Sequence, residues 1–134
     1  MTSSYRSAYW RAALDEVGER PLLGSGAGSF FLTWREHRTV AVDVRDAHSL
    51  YLETLSELGP LGLALVLGVV AAPLATAVRG RGDPTVAAGG AAFVVFAAHA
   101  GLDWDWEMPV VTLVALACAG VVLADRTGIG AVEP

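Results

Sequence analysis

The chain has 134 residues, of which 54% are hydrophobic and 17% charged, and its formal net charge is −5. A mean hydropathy of +0.49 lies above that of an ordinary soluble domain, and the acidic balance argues against a nucleic-acid partner, which is usually met by a basic face. All the positive charge is arginine, and the lone Cys118, in an apolar run, excludes a disulfide framework and a cysteine-based metal site and reads as small core packing.

The first residues, MTSSYRSAYWRAALDEVGER, are interrupted throughout by arginines and carboxylates and hold no apolar signal-peptide core. Ser3 or Ser4 is placed to cap a helix over about 5–17, with Tyr9, Ala13 and Val17 on one face and Trp10 and Leu14 beside it; Pro21 ends it. GSGAGSF, residues 24–30, is glycine-rich but lacks the lysine-plus-hydroxyl ending of a P-loop, and no strand pattern precedes it. It reads as a tight turn packed against neighbouring helices. Residues 30–38 suit a short amphipathic helix on a membrane surface. Asp46 is expected to cap a helix over about 47–58 whose apolar stripe is Tyr51, Leu55 and Leu58. Gly59 stops that helix and Pro60 starts the next.

From Leu58 to Val78 the chain runs 21 residues without charge, which at ~1.5 Å per residue reaches ~31 Å, close to the hydrocarbon thickness of a bilayer. Two shorter candidate spans follow, 86–102 and 108–124, of 17 residues each. The connectors RGRGDP and DWDWE are short, so neighbouring helices should be antiparallel. Arg79 and Arg81 mark the first connector as cytoplasmic, while the acids and tryptophans of the second suit the outer interface. Residues 1–57 then lie outside the cell membrane, and a tail over 125–134 lies inside. The expected fold is an all-α, multi-pass membrane protein. Three antiparallel transmembrane helices over 58–124 carry an N-terminal extracytoplasmic helix–loop–helix segment over 1–57. Three uncharged runs leave no polar face to meet water, which argues against a soluble helical protein.

Two histidines stand at chemically suggestive places. His48 falls in the first turn of the helix expected over 47–58, where the positive end of the helix dipole disfavours the imidazolium. A neutral imidazole is suited to taking a proton from an attacking hydroxyl; a surface histidine that merely helps cap a helix is the other reading. His99 lies inside an expected span, where a polar side chain normally faces the bundle interior. Its i+4 neighbour Asp103 would share its helical face and orient it. That pair is structural at least as readily as catalytic.

Three stretches carry a resemblance. YRSAYWRAALDEVGERPLLGSGAGSF looks like an "R-x-x-x-W…PLLG-x-G-x-G-x-F" loop opening, AHSLYLETLSELGPLGLAL like an "H-[NS]-x-x-L…E-x-G-x-x-G" loop close, and AAHAGLDWDWEMPVVTL like a final "H-x-x-x-D…P" helical pair. From about Tyr5 to Leu123 the chain resembles the C-terminal portion of the O-antigen ligase/O-antigen polymerase superfamily of bacterial membrane glycosyltransferases. The resemblance implies metal-independent, cofactor-free transfer of a glycan from a polyprenyl-pyrophosphate carrier to an acceptor hydroxyl in cell-surface polysaccharide assembly. By motif position, His48 matches the loop histidine that activates the acceptor, and Arg6 the loop-opening arginine that holds the pyrophosphate. A guanidinium suits that role because its fixed fork binds phosphate oxygens bidentately and keeps its charge.

Arg11 and Tyr51 are further substrate-contact candidates. Glu53, Glu57, His99 and Asp103 are supporting candidates, the two glutamates as salt-bridge or packing partners rather than acids in the chemistry. The partners implied are membrane lipid, the polyprenyl-pyrophosphate-linked donor and a glycan or lipid acceptor. Family members carry many more than three spanning helices. This chain is therefore expected to be a piece of a larger domain, inactive alone, or to assemble with a partner chain that supplies the missing helices. Within the family, ligase and polymerase differ in acceptor, which the sequence does not name. A small non-catalytic membrane subunit, in which Arg6 and His48 only position an outer cap, is the alternative.

Overall fold

A computed structural model describes residues 3–127, with side chains from 5 to 124. Its regular elements are α1 (Ser3–Glu19), α2 (Phe30–His37), α3 (Leu50–Arg79), α4 (Pro84–Ala100), a 3₁₀ turn (Asp105–Glu107) and α5 (Pro109–Thr127). No strand occurs among the described residues. The chain divides into two compact units, residues 1–67 with 100–104, and residues 68–99 with 105–134.

The core of the first unit is Tyr9, Ala12 and Ala13 from α1, Phe30 and Trp34 from α2, and Ala47. α1 extends two residues beyond its expected bounds at each end, and the expected caps Ser3 and Ser4 fall on side chains outside those described. The buried stripe of α1 is Tyr9, Ala12, Ala13 and Glu16, a helical i, i+3, i+4, i+7 set, while Leu14 is exposed. Glu16 tolerates burial because the Thr33 hydroxyl donates to its carboxylate at 3.2 Å and Arg20 approaches at 3.4 Å. α2 forms where the short amphipathic helix was expected and buries Phe30, Thr33 and Trp34. The indole of Trp34 donates to the Val42 carbonyl at 2.6 Å and so ties the segment between α2 and α3 to the core.

α3 departs from expectation at its start. It begins at Leu50, and Ser49 rather than Asp46 caps it, with its carbonyl accepting the Glu53 N–H at 2.9 Å. His48 precedes the helix in a left-handed conformation, φ 54°, which turns the chain and separates Asp46 from the helix end. The break expected at Gly59-Pro60 is present: Gly59 has φ 66° and ψ −170°, so 50–58 and 60–79 are two helical segments.

The inward face of 50–58 is polar, not apolar. Glu53, Thr54, Ser56 and Glu57 are buried, whereas Leu58 is exposed. The reason is that this face packs on backbone N–H groups. Pro60 has no N–H, so the Ser56 carbonyl loses its helical partner. The Ser25 N–H takes it at 3.0 Å, and the Gly26 N–H takes the Glu57 carbonyl at 2.8 Å. The Glu57 carboxylate accepts the Gly28 and Phe30 N–H groups, both at 2.8 Å. The glycine-rich stretch is thus a turn docked on a helix end. Two glycines make the approach possible. A Cβ on Gly24 (φ +65°) would meet the Glu57 backbone at 2.4 Å, and one on Gly59 would meet the Leu22 carbonyl oxygen at 2.3 Å.

In the second unit Phe93, Ala115 and Ala119 form the core, with Val70, Leu74 and Phe96 against them. α4 and α5 run in opposite senses, since Gly89 early in α4 abuts Cys118 and Val122 late in α5, while His99 shares a cavity wall with Val110 and Val111. Asp83 caps α4 by accepting the Thr85 and Val86 N–H groups at 2.7 and 3.1 Å, with Pro84 as the first helical residue. Among the described helices α3 alone is long and apolar enough to cross a membrane, with mean hydropathy 2.3 over its most apolar window. The other two expected spans are apolar helices but shorter, Pro84–Ala100 and Pro109–Ala124. α4 stops at Ala100 rather than Leu102, because Gly101 opens a turn. Of the tail expected over 125–134, α5 covers the part to Thr127, and 128–134 lie outside the described residues.

Candidate active site

The site builds from the segment between α2 and α3. Ala47 is anchored by its N–H, which donates to the Glu53 carboxylate at 2.7 Å, and its own side chain is fully buried. This anchor and the left-handed turn at His48 present the imidazole beside the preceding acid. His48 Nδ1 is 3.3 Å from the Asp46 carbonyl oxygen, with which it hydrogen-bonds, and 2.7 Å from Asp46 Oδ1. Oδ1 is buried and accepts no hydrogen bond among the described residues. Both contacts put Nδ1 on Asp46, so with Nδ1 donating, Nε2 carries the lone pair. The ring packs against Tyr9, with centroids 5.1 Å apart, and Tyr9 in turn meets Trp34 edge-on at 4.9 Å. Burial, joined by the charges of Tyr5 and Asp46, pushes the Tyr9 phenol up from its ordinary value, so it stays neutral.

The expectation that His48 falls in the first turn of a helix is corrected. His48 stands two residues before α3, and its Nδ1 faces the carbonyl and carboxylate of Asp46. The i, i+2 spacing of Asp46 and His48 is the sequence signal for this pair, and the capping role expected of Asp46 obscures it.

Arg6 lies on α1 one turn before Tyr9 and pairs with Asp103 at 2.9 Å, both side chains about one-third exposed. Asp103 thus serves Arg6, not His99, because the end of α4 at Ala100 removes it from the helical face of His99. The Arg6 Nε and, one turn on, the Trp10 indole N–H are buried donors without an acceptor among the described residues, and sequence reasoning missed Trp10. Arg11 is exposed on α1. Tyr51 is half-buried in the first turn of α3. Glu53 and Glu57 both accept backbone N–H groups and so act as clamps on the chain. In the second unit His99 is exposed and pairs through Nδ1 with Asp105 at 2.6 Å.

A family model described as O-antigen ligase matches residues 1–67, half of the chain. The chain belongs to the O-antigen ligase family. Comparison with curated proteins and with solved structures gives no match. The matched segment contains Arg6, the glycine-rich turn, His48, both clamping glutamates and the Gly59-Pro60 break. Family membership together with the apolar α3 makes this a membrane-associated protein.

Proposed function

We propose that this segment supplies the acceptor-activating base and a pyrophosphate-holding arginine to a glycosyltransferase. The enzyme moves a glycan from a polyprenyl-pyrophosphate carrier onto an acceptor hydroxyl. The observation that carries this is the Asp46–His48 pair, within the family-matched segment and packed on Tyr9, one helical turn from Arg6. His48 Nε2 takes the hydroxyl proton as the acceptor oxygen bonds to the anomeric carbon. The bond from that carbon to the pyrophosphate breaks, and its electron pair leaves with the pyrophosphate, where Arg6 meets the growing charge. Asp46 orients the imidazole through its Nδ1. The ion pair with Asp103 keeps the guanidinium ordered until phosphate replaces the carboxylate, and Arg6 Nε and Trp10 Nε1 are donors ready to join it.

In the membrane, α3, α4 and α5 are three antiparallel spans, with residues 1–57 outside and the 79–84 connector cytoplasmic. The length of α3 and the opposed senses of α4 and α5 support this, as does the apolar exterior. Leu61, Leu65, Val69, Val95 and Leu113 are 64–71% exposed, apolar surface that a bilayer would cover. Further helices, from the same protein or a partner chain, complete the carrier groove.

The test is glycan transfer from a polyprenyl-pyrophosphate donor in reconstituted membranes by the complete enzyme carrying this segment. His48→Ala should lower turnover by ~10²–10⁴-fold at unchanged expression. Arg6→Ala should lower it at least ~10-fold, with partial recovery in Arg6→Lys. Full activity of His48→Ala would remove the catalytic assignment. Topology is read by labelling single cysteines at exposed Glu36 and at Gly82 in a Cys118-free background, and the reverse order of access would refute it. The Arg6–Asp103 pair favours a second reading, a non-catalytic subunit with Arg6 as a latch. There Arg6→Ala and Asp103→Ala would lose stability equally and leave transfer per folded molecule unchanged.

A further inference from the structure

An open cavity of about 600 Å³ lies between α2 and the segment after it, lined by Gly28, Phe31, Arg35, Asp43, Val44 and Arg45. Its size falls in the range of small-ligand sites, ~300–1,000 Å³. The lining is chemically mixed. Arg35 and Arg45 are exposed and form no ion pair among the described residues, while Asp43 is held by Arg38 at 3.0 Å. Phe31 is 41% exposed, although it follows the fully buried Phe30 on the same helix. The floor is set by Gly28, whose N–H is fixed on the Glu57 carboxylate.

We propose that this cavity is the acceptor subsite, and that it takes a saccharide bearing an acidic group, a sugar carboxylate or a sugar phosphate. Two unpaired guanidinium forks recognise the acid bidentately. The exposed ring of Phe31 offers an apolar face for the C–H face of a pyranose, and Asp43 accepts sugar hydroxyls. A pocket built for bare phosphate or a phospholipid headgroup would not place a carboxylate among its cations, which favours a sugar over a lipid surface. The acceptor rather than the donor is indicated by chain continuity. Arg45 on the cavity wall immediately precedes Asp46, whose carboxylate abuts His48, so the cavity wall and the proposed base belong to one short segment. The assignment rests on the proposed glycosyl transfer and narrows its acceptor class.

The experiment is equilibrium binding to the full chain in detergent micelles, which needs no turnover. An oligogalacturonide is compared with the uncharged oligogalactose of the same length, and inorganic pyrophosphate and phosphatidylglycerol vesicles are the competing anions. The acidic sugar should bind at least ~10-fold more tightly than the neutral one, and the preference should weaken with salt. Arg35→Gln and Arg45→Gln should each remove most of that preference, and Phe31→Ala should weaken both sugars. These side chains are at the surface, so unchanged helical circular dichroism is expected in all three variants. Equal binding of acidic and neutral sugars overturns the proposal, as does tighter, Arg35-dependent binding of pyrophosphate or of the vesicles. His48→Ala should bind the acidic sugar normally. Acidic-sugar binding together with an active His48→Ala enzyme would fault the catalytic assignment alone, whereas loss of sugar preference with an inactive His48→Ala enzyme would fault this subsite alone.

Discussion

Glu57 offers the sharpest test of how the family segment is held together. Its buried carboxylate accepts two backbone N–H groups, from Gly28 and Phe30, both at 2.8 Å. Hydrogen bonds to a charged acceptor contribute roughly 1.5–3 kcal/mol each. Glu57→Ala therefore removes roughly 3–6 kcal/mol of gross interaction and leaves a buried Phe30 N–H without a partner. Relief of the desolvated carboxylate offsets part of this, so a net loss of about 3 kcal/mol is expected, a large share of an ordinary 5–15 kcal/mol stability. Glu57→Gln keeps one acceptor oxygen but turns an NH₂ toward the second N–H, and should fall about midway. The assay is thermal unfolding of the micellar protein, read by aromatic circular dichroism, with proteolysis of the 24–29 turn as a local probe. Leu58→Ala, at an exposed neighbouring position, is the control. If Glu57→Ala melts and resists proteolysis as Leu58→Ala does, the carboxylate does not clamp the turn.

Gly24→Ala and Gly59→Ala should each destabilise strongly, because the new methyl would sit 2.4 or 2.3 Å from backbone atoms of the facing segment at a positive φ; wild-type melting of both would refute the close approach. Asp46→Asn should lower turnover per folded molecule at unchanged melting, whereas a purely structural role would lower melting and leave turnover per folded molecule in place. His37 donates to the Thr33 carbonyl and meets Glu19 at 3.3 Å, contacts that hold its pKa above the ordinary value of 6.5, the carbonyl bond contributing most. Because the folded value is the raised one, this stabilisation is complete below pH 6.5 and is lost as pH rises through the folded pKa. His37→Gln should accordingly cost stability at about pH 5.5 and little at about pH 9; equal cost at both would refute the charge-linked contact.

Some of this protein was written in local chemistry. The uncharged run after Leu58, the helix break at Gly59-Pro60, the turn at the glycine-rich stretch and the short helix at Phe30 follow from properties that each residue carries wherever it sits: charge, a missing N–H, a missing Cβ. The pairing of partners was another matter. Tyr51, Leu55 and Leu58 make an apolar stripe by periodicity, yet the helix turns Glu53, Ser56 and Glu57 inward. Their partners are backbone N–H groups of a distant turn, and side-chain patterns do not register those. Asp46 had the composition of a cap, but the left-handed turn at His48 gave it to the imidazole instead. Asp103 was matched to His99 on a helix that stops too early to align them, and it pairs with Arg6, 97 residues away in sequence. Sequence determined where the chain bends and which stretches shun water. Only the tertiary structure decided which polar group meets which, because a buried donor takes whatever acceptor the fold brings within reach.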